Sequence, residues 1–202
     1  MTEISVLLLA AGNSSRMGGN TKQLLPWGDT TLLGHAIQEA KKVTGSVLVL
    51  LGYHSEAIKQ SIGEQADILI NPQWEKGMGS SISLGTKNLL KKDPLLKGIL
   101  IMVGDQPFLD ASHLGELLEK FQNHAAKIVG TSYGDGLGVP TLFDVTLARE
   151  LMALDPHHGA KGVIEKYKKQ ALGVSPKGRE GDIDTMDAYH RALTMAKEPG
   201  LK

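Results

Sequence analysis

A glycine- and serine-rich loop with two cations follows the first apolar run of the chain. Residues 10–22 read AAGNSSRMGGNTK, so that Arg16 and Lys22 flank a pair of glycines. Glycine lets backbone N–H groups approach a ligand closely, and the two cations add positive charge to the same loop. These features suit a polyphosphate, although neither the P-loop pattern nor GxGxxG is present. A flexible turn with solvated Arg and Lys side chains is the alternative.

Two acidic stretches could supply metal ligands. Asp105 directly follows the apolar run 98–103 in the sequence VGDQP, and Asp184 lies in DIDTMD. A carboxylate after a strand points into the crevice where ligands of α/β proteins bind. On the residues alone, Asp105 could equally close a turn and Asp184 could belong to a helix cap. We expect Asp182 and Asp187 to be solvated or to cap.

A polar helix start is the third feature. Residues 71–81 read NPQWEKGMGSS, and Gly79, Ser80 and Ser81 would open a helix with free N–H groups and hydroxyls. An ordinary serine-capped helix is the alternative. The adjacent His157 and His158 suggest a metal, but neighbouring residues rarely chelate one ion and no third ligand has suitable spacing. We therefore expect no zinc site there.

The hydrophobic pattern predicts the elements that must position these residues. Continuous apolar runs at residues 4–9, 46–51, 66–70 and 98–103 predict strands buried on both faces. Helices are predicted at 32–42, 56–62 after an N-cap at Ser55, 80–91, and 111–121 after a cap at Asp110. The second half is less regular, with strands at 127–131 and 139–143 and helices at 145–154, 161–169 and 185–197. This alternation predicts an α/β fold, with a mostly parallel sheet between two layers of helices.

The composition limits the possible partners. The chain has 202 residues, 41% of them hydrophobic and 22% charged, which suits one domain, placed at residues 1–197 with a frayed tail at 198–202. Lys plus Arg and Asp plus Glu are both 22, so we expect no nucleic-acid partner. There is no cysteine, which excludes disulfides and Cys nucleophiles. The apolar run 6–11 is too short to span a membrane and lacks a basic flank, so we expect a cytoplasmic protein.

The loop motif resembles a known family. The sequence LLLAAGNSSRMGGNTKQLLPWG is similar to the signature of the MobA-like nucleotidyltransferases, and within them to molybdenum cofactor cytidylyltransferases, which continue K-x-L-L-P. The VGDQP, DIDT and NPQWEKGMGSS segments also resemble the family, and the likeness extends from Val6 to about Leu193. It departs at Val139, where relatives frequently carry His, which puts acceptor contacts there in doubt.

The resemblance implies a Rossmann-like nucleotidyltransferase fold and a set of site residues. Gly12, Ser14, Arg16 and Lys22 would hold a triphosphate, and Ala10 and Ala11 would approach the base. Gly79, Ser80 and Ser81 would border base and ribose, and Asp105 and Asp184 would bind Mg²⁺. The implied catalytic residues are Arg16, Lys22 and Asp105.

The implied reaction transfers CMP from CTP to a phosphorylated acceptor and releases pyrophosphate. The resemblance implies molybdopterin as acceptor and a molybdoenzyme as possible recipient of the product. A sugar-phosphate or polyol-phosphate nucleotidyltransferase shares the loop and fold, and a non-catalytic nucleotide-binding or cofactor-delivery module is a third hypothesis. Retention of both aspartates favours an enzyme, because a mere binder need not keep two metal ligands.

Overall fold

The computed structural model describes residues 3–134 and 136–197, which form a seven-stranded sheet, a two-stranded hairpin and surrounding helices. The predicted tail at 198–202 lies outside the described residues. The strands are β1 (Ile4–Ala10), β2 (Pro26–Trp27), β3 (Thr30–Thr31), β4 (Val47–Leu51), β5 (Asp67–Ile70), β6 (Gly98–Val103), β7 (Ile128–Tyr133), β8 (Gly136–Asp144) and β9 (Ala171–Val174). The helices are α1 (Leu32–Val43), α2 (Ser55–Ile62), α3 (Met78–Lys92), α4 (Ala111–Asn123), α5 (Ala148–Met152), α6 (Lys161–Lys166) and α7 (Met186–Met195).

The large sheet has the order β5-β4-β1-β6-β8-β7-β9. All its neighbouring pairs are parallel except those of β8, which runs antiparallel to both β6 and β7. The chain moves from β1 outwards to β4 and β5, then returns across β1 to β6. This reversal of direction places a switch point between β1 and β6, where open α/β sheets bind ligands.

Alternating residues of β1 enter opposite cores, so that the sheet is covered on both faces. Val6 and Leu8 pack with α1, α2 and α4, whereas Leu7 and Leu9 pack with α3, α5 and α6. All seven residues of β1 are buried, which explains the continuous apolar run. The fold is therefore the predicted three-layer, Rossmann-like α/β arrangement.

Most predicted elements are present within a few residues. Two details were wrong. Ser55 is the first residue of α2 and not its cap, because His54 occupies the cap position in a left-handed conformation. The strand at the sheet's edge, β5, has no fully buried residue, so the expectation that it is covered on both faces fails. The hairpin β2–β3 and strand β9 were not predicted.

A third, smaller core lies beside the hairpin. It contains Met17, Trp27, Leu32, Ile183 and Tyr189, and joins the loop after β1 to the segment around α7. The Tyr189 hydroxyl donates to the carbonyl of Pro26 at 2.6 Å. None of the helices in the described part of the chain is long and apolar enough to cross a membrane.

Candidate active site

A cavity of about 470 Å³ opens at the carboxyl edge of the sheet, above the ends of β1 and β6. Its walls come from four separate segments of the chain. The lining residues are Leu9, Ala10, Ala11, Gly12, Asn13, Ser14, Ser15, Arg16, Lys22, Gln23, Trp74, Glu75, Gly77, Met78, Ser81, Val103, Gly104, Asp105 and Asp184. The switch point therefore coincides with the predicted site.

The loop after β1 is held in shape by Gln23. Its Nε2 donates to the carbonyls of Ala10 and Gly12 at 3.1 and 3.2 Å, and its Oε1 accepts from the Ser14 hydroxyl at 3.3 Å. Gln23 is buried, and Ser14 has a φ of 51°, in the left-handed region. Sequence reasoning missed Gln23. Its position directly after Lys22 was visible, but its three contacts depend on the fold.

Lys22 is the centre of the charged network. Its Nζ lies 2.6 Å from Asp105 Oδ2 and 3.0 Å from Asp184 Oδ1, and Arg16 contacts the second carboxylate at 2.8 Å. The side chains of Lys22 and Asp105 are 14% and 20% exposed, whereas that of Arg16 is 69% exposed. The contact of Lys22 is thus the better protected from solvent screening.

Burial and mutual attraction shift the pKa values of this network in different directions. Burial raises the pKa of the Asp105 carboxyl, even though the Lys22 charge and hydrogen bond lower it. Burial would lower the pKa of Lys22, but the two carboxylates outweigh it and the pKa is raised. Burial also acts to raise the pKa of Asp184, but hydrogen bonds and charges of Lys22 and Arg16 lower it overall. We conclude that Lys22 is a cation in this site.

Hydrophobic neighbours bring Arg16 and Asp184 together. Met17 and Ile183, which follow Arg16 and precede Asp184, are 0% and 2% exposed and belong to the same small core. The N–H of Ile183 also donates to the carbonyl of Asp105 at 2.9 Å. Thr185, and not Asp184, caps α7 through its side chain. The Asp184 carboxylate is therefore left for the cavity.

Asn71 orients the two serines at the start of α3. Its Oδ1 accepts from the N–H of Gln73, so its Nδ2 must face Ser80 and Ser81, whose hydroxyl oxygens accept at 2.9 Å. The Ser80 hydroxyl donates its own hydrogen bond to the carbonyl of Gly77 at 2.7 Å. Ser81 lines the cavity, and no acceptor for its proton is found among the described residues. Ser81 can thus donate to a ligand.

Gly79 and Ser80, predicted to contact nucleotide, do not line the cavity. Helix α3 instead meets the loop at residues 155–158 there: a Cβ on Gly79 would lie 2.1 Å from the carbonyl oxygen of Asp155. Ser80 is engaged by its neighbours, and its N–H also reaches the carbonyl of Pro156. Gly79 and Ser80 are thus engaged in packing and hydrogen bonds. Of the three predicted residues, only Ser81 lines the cavity.

Trp74, Glu75 and Met78 are among the further wall residues that sequence reasoning missed. Trp74 packs on Gly52, where an added Cβ would lie 2.5 Å from both Cβ and Cγ of Trp74, and the Trp74 ring centroid is 5.6 Å from that of Tyr53. Its half-buried indole is therefore fixed by packing, at the edge of the site. The family-like NPQWEKGMGSS segment was the available signal.

An unsatisfied carboxylate oxygen indicates that Asp105 and Asp184 could hold a divalent metal ion. Asp105 Oδ1 is buried and has no hydrogen-bond partner among the described residues. A buried carboxylate oxygen without a partner is costly, and a hard cation is a suitable partner for it. Within the described chain, no group of three or more His, Asp or Glu side chains could hold an ion. The remaining ligands would thus come from phosphates and water.

His157 and His158 lie outside the cavity wall. The N–H of His157 donates to the carboxylate of Asp155 at 2.8 Å, and His158 Nδ1 lies 3.5 Å from the same carboxylate. The local turn explains their arrangement.

Comparison with known proteins accounts for this combination of loop, cavity and acidic pair. Residues 6–171 match the model of the MobA-like NTP transferase domain. The chain belongs to the MobA-like NTP transferase family. The cavity walls from Leu9 to Asp105 lie inside the matched region, whereas Asp184 lies beyond it.

Proteins with several different names are similar to this chain in sequence or structure. Bifunctional protein GlmU of Nitrosomonas europaea is 25% identical over all of this chain, which spans 46% of that protein's length. Nicotine blue oxidoreductase of Paenarthrobacter nicotinovorans is 27% identical, covering 94% of this chain and 96% of that protein. Among solved structures, Rv0371c of Mycobacterium tuberculosis is 31% identical, covers 96% and 98% of the two chains, and superposes with a TM-score of 0.77. A second structure of Rv0371c is a complex with manganese, at 29% identity, 95% and 98% coverage and a TM-score of 0.72.

Proposed function

We propose that this transferase moves a nucleoside monophosphate from an NTP to a phosphorylated acceptor. The observation that carries the proposal is Lys22, held by Asp105 and Asp184 at the switch point and next to the loop after β1. A cation and two carboxylates beside a glycine-rich loop suit a polyphosphate with its counter-ion.

The chain's residues would bring anions together, which is the main obstacle to the reaction. The acceptor phosphate is already anionic, so its oxygen needs no general base. That oxygen forms a bond to the α-phosphorus, the bond from α-phosphorus to the bridging oxygen breaks, and pyrophosphate leaves with the electron pair. Arg16 and Lys22 would offset the negative charge, while the loop shaped by Gln23 positions the triphosphate.

Asp105 and Asp184 would hold the divalent ion, for which we propose Mg²⁺. A bound divalent cation supplies charge neutralisation and orientation in phosphoryl transfer. The manganese complex of Rv0371c supports a divalent ion in the family, and the buried, partnerless Oδ1 of Asp105 supports this position.

We propose CTP as the donor and molybdopterin as the acceptor. The free proton of Ser81 can donate to a carbonyl of a pyrimidine. The side chains of Ala10 and Ala11, both 9% exposed or less, restrict the width of the cavity that would hold the base. A sugar-phosphate or polyol-phosphate acceptor is the alternative. The product would pass to a molybdoenzyme, and we place the reaction in the cytoplasm.

Pyrophosphate release tests this proposal directly. Purified protein with Mg²⁺ would be given each of the four NTPs, combined with molybdopterin, a sugar phosphate or a polyol phosphate. We expect release with CTP and molybdopterin, and loss of at least 90% of the rate in Asp105→Asn and Asp184→Asn, equivalent to about 1.4 kcal/mol or more. Asp187→Asn, an exposed aspartate three positions from Asp184, is the matched control and should retain activity.

The pattern of results separates the alternatives. Release with a sugar or polyol phosphate alone would replace the proposed acceptor, and nucleotide binding without release under any pairing would favour the non-catalytic module. Full activity in either aspartate variant would refute the assignment of the metal ligands.

A further inference from the structure

Asp184 lies in a segment with no regular secondary structure. The eleven residues between the end of β9 at Val174 and the start of α7 at Met186 form neither helix nor strand. A carboxylate on such a loop must be tied to the rest of the site to stay within about 0.5 Å of its working position. One tie is the backbone hydrogen bond from Ile183 to the carbonyl of Asp105, at 2.9 Å.

Gln106, the residue after Asp105, makes a second tie. Its Nε2 donates to Asp182 Oδ1 at 2.8 Å and to the hydroxyl oxygen of Tyr133 at 3.1 Å. The loop that carries Asp105 is thus hydrogen-bonded to the segment that carries Asp184, at a position two residues before Asp184.

The hydrogen-bond chemistry allows only one orientation of the Gln106 amide. An ionised carboxylate can only accept, so Asp182 requires the NH₂ end. The Tyr133 hydroxyl donates its proton to the carbonyl of Val139 at 2.7 Å, so it too can only accept from Gln106. The other end of the amide, Oε1, is buried and has no partner in the described chain.

Tyr133 anchors this network to the sheet. It is the last residue of β7, and its ring lies over β8 at Gly138, where a Cβ would come within 2.9 Å of the ring. Gln106 therefore connects the irregular segment to two strands that are themselves paired.

We propose that Gln106 is a positioning residue, which holds Asp184 beside Asp105 through its hydrogen bonds to Asp182 and Tyr133. It does not line the cavity, so it acts through the carboxylates and not on the substrate. The placement of the segment stands on the geometry alone, whereas its catalytic consequence rests on the proposed function.

Gln106→Glu is the sharpest probe, because it keeps the shape and replaces the donor by a carboxylate facing that of Asp182. Hydrogen–deuterium exchange of peptides covering residues 176–186 should become at least fivefold faster, with exchange in β1 and β6 unchanged. The double variant Gln106→Glu/Asp182→Asn restores a donor and an acceptor in reversed order and should recover most of the protection. Gln122→Glu, on an exposed turn of α4, adds the same charge elsewhere and should change nothing in this segment.

Kinetics supply the second readout. Gln106→Glu should lower kcat about tenfold and raise the Mn²⁺ concentration for half-maximal rate, with the KM for NTP within twofold of wild type. The double variant should recover both values. Gln106→Leu, which removes the hydrogen bonds without adding charge, gives the same test if Gln106→Glu does not fold.

Two results would overturn the positioning role: unchanged exchange in residues 176–186 for a folded Gln106 variant, or a double variant no better than Gln106→Glu in either readout. If the wild-type protein releases no pyrophosphate with any NTP, the proposed function fails, and the exchange measurements still decide whether Gln106 holds the segment.

Discussion

Lys22 occupies the space between two carboxylates to which we assign a metal ion, and this contact has a measurable consequence. Its Nζ is 2.6 and 3.0 Å from oxygens of Asp105 and Asp184. An ammonium so placed repels an incoming divalent cation, at a cost that is large in a partly buried site. Lys22 should therefore weaken the binding of free metal and release the carboxylates only when phosphates attract it.

We expect Lys22→Met, which keeps the length and removes the charge, to bind Mn²⁺ more tightly in the absence of nucleotide. The expected gain is about tenfold in Kd, or about 1.4 kcal/mol, measured by the electron paramagnetic resonance signal of free Mn²⁺. Turnover should fall in the same variant, because the phosphates lose a cation. Arg16→Ala is the matched comparison, and its 69% exposed side chain should affect metal binding less. Equal or weaker Mn²⁺ binding by Lys22→Met would contradict a competing role.

At the scale of the elements, Gly79 connects helix α3 to the loop before α6. A Cβ there would lie 2.1 and 2.3 Å from the carbonyl oxygens of Asp155 and His158. Both contacts are with backbone, which cannot swing aside as a side chain can, so the helix or the loop must move.

We therefore expect Gly79→Ala to lower the free energy of unfolding by about 1–3 kcal/mol without any nucleotide present. Urea denaturation followed by circular dichroism measures this value. Gly115→Ala, in α4 with no atom within 4 Å of the added methyl, is the control and should be neutral or stabilising. If Gly79→Ala has wild-type stability and only its nucleotide affinity falls, Gly79 contacts ligand as its sequence context suggested.

The sequence could predict those elements whose local pattern carries the whole signal. Strands β1, β4 and β6 are buried on both faces, so nearly all of their residues are apolar. The hairpin β2–β3 has only two residues in each strand. Strand β9 has four residues, three of them half-buried. Such short strands contain too few residues to show a hydrophobic periodicity.

The site divides in the same way. Lys22 and Asp105 could be inferred from residue type beside a strand end. Gln23, Asn71 and Gln106 could not, because an amide is informative only once its partners are known, and these come from distant segments. Gly79 shows the opposite situation: its place inside the motif predicts a ligand contact, whereas the structure gives a packing reason for glycine at this position.

At the scale of the whole molecule, buried His113 makes stability depend on pH. It is fully buried on α4, its Nε2 lies 2.8 Å from the Thr131 hydroxyl, and Nδ1 has no partner in the described chain. Burial lowers the pKa of His113 below its ordinary value, with the Arg179 charge acting in the same direction. The unfolded chain then binds a proton near pH 6.5 that the folded protein does not.

The stability linked to His113 is present above pH about 6.5 and is lost as the pH falls through that value. We expect the Tm of the wild-type protein to fall between pH 7.5 and 5.5, and His113→Leu to show a smaller fall over the same range. Differential scanning calorimetry at several pH values compares the two slopes. His124→Leu, which changes an exposed histidine in the same region, should keep the wild-type slope. Parallel curves for wild type and His113→Leu would show that other groups cause the dependence.

Nucleotide preference can also be measured on the whole molecule, because a bound ligand raises the free energy of unfolding by RT ln(1 + [L]/Kd). A ligand at 100 times its Kd adds about 2.7 kcal/mol to the free energy of unfolding. We expect CTP with Mg²⁺ to raise the Tm more than UTP, ATP or GTP at equal concentration. The methyl groups of Ala10 and Ala11 should restrict the width of the pocket and disfavour purines by about 1–3 kcal/mol. The free proton of Ser81 should donate to a base carbonyl, which cytosine has and adenine lacks. Ser81→Ala should reduce the Tm shift produced by CTP while leaving the smaller shift by inorganic pyrophosphate unchanged, because pyrophosphate has no base to contact.

A larger Tm shift by GTP than by CTP would overturn the cytidylyl assignment. A Ser81→Ala variant that loses the CTP and pyrophosphate shifts equally would show that Ser81 supports the fold and does not recognise the base.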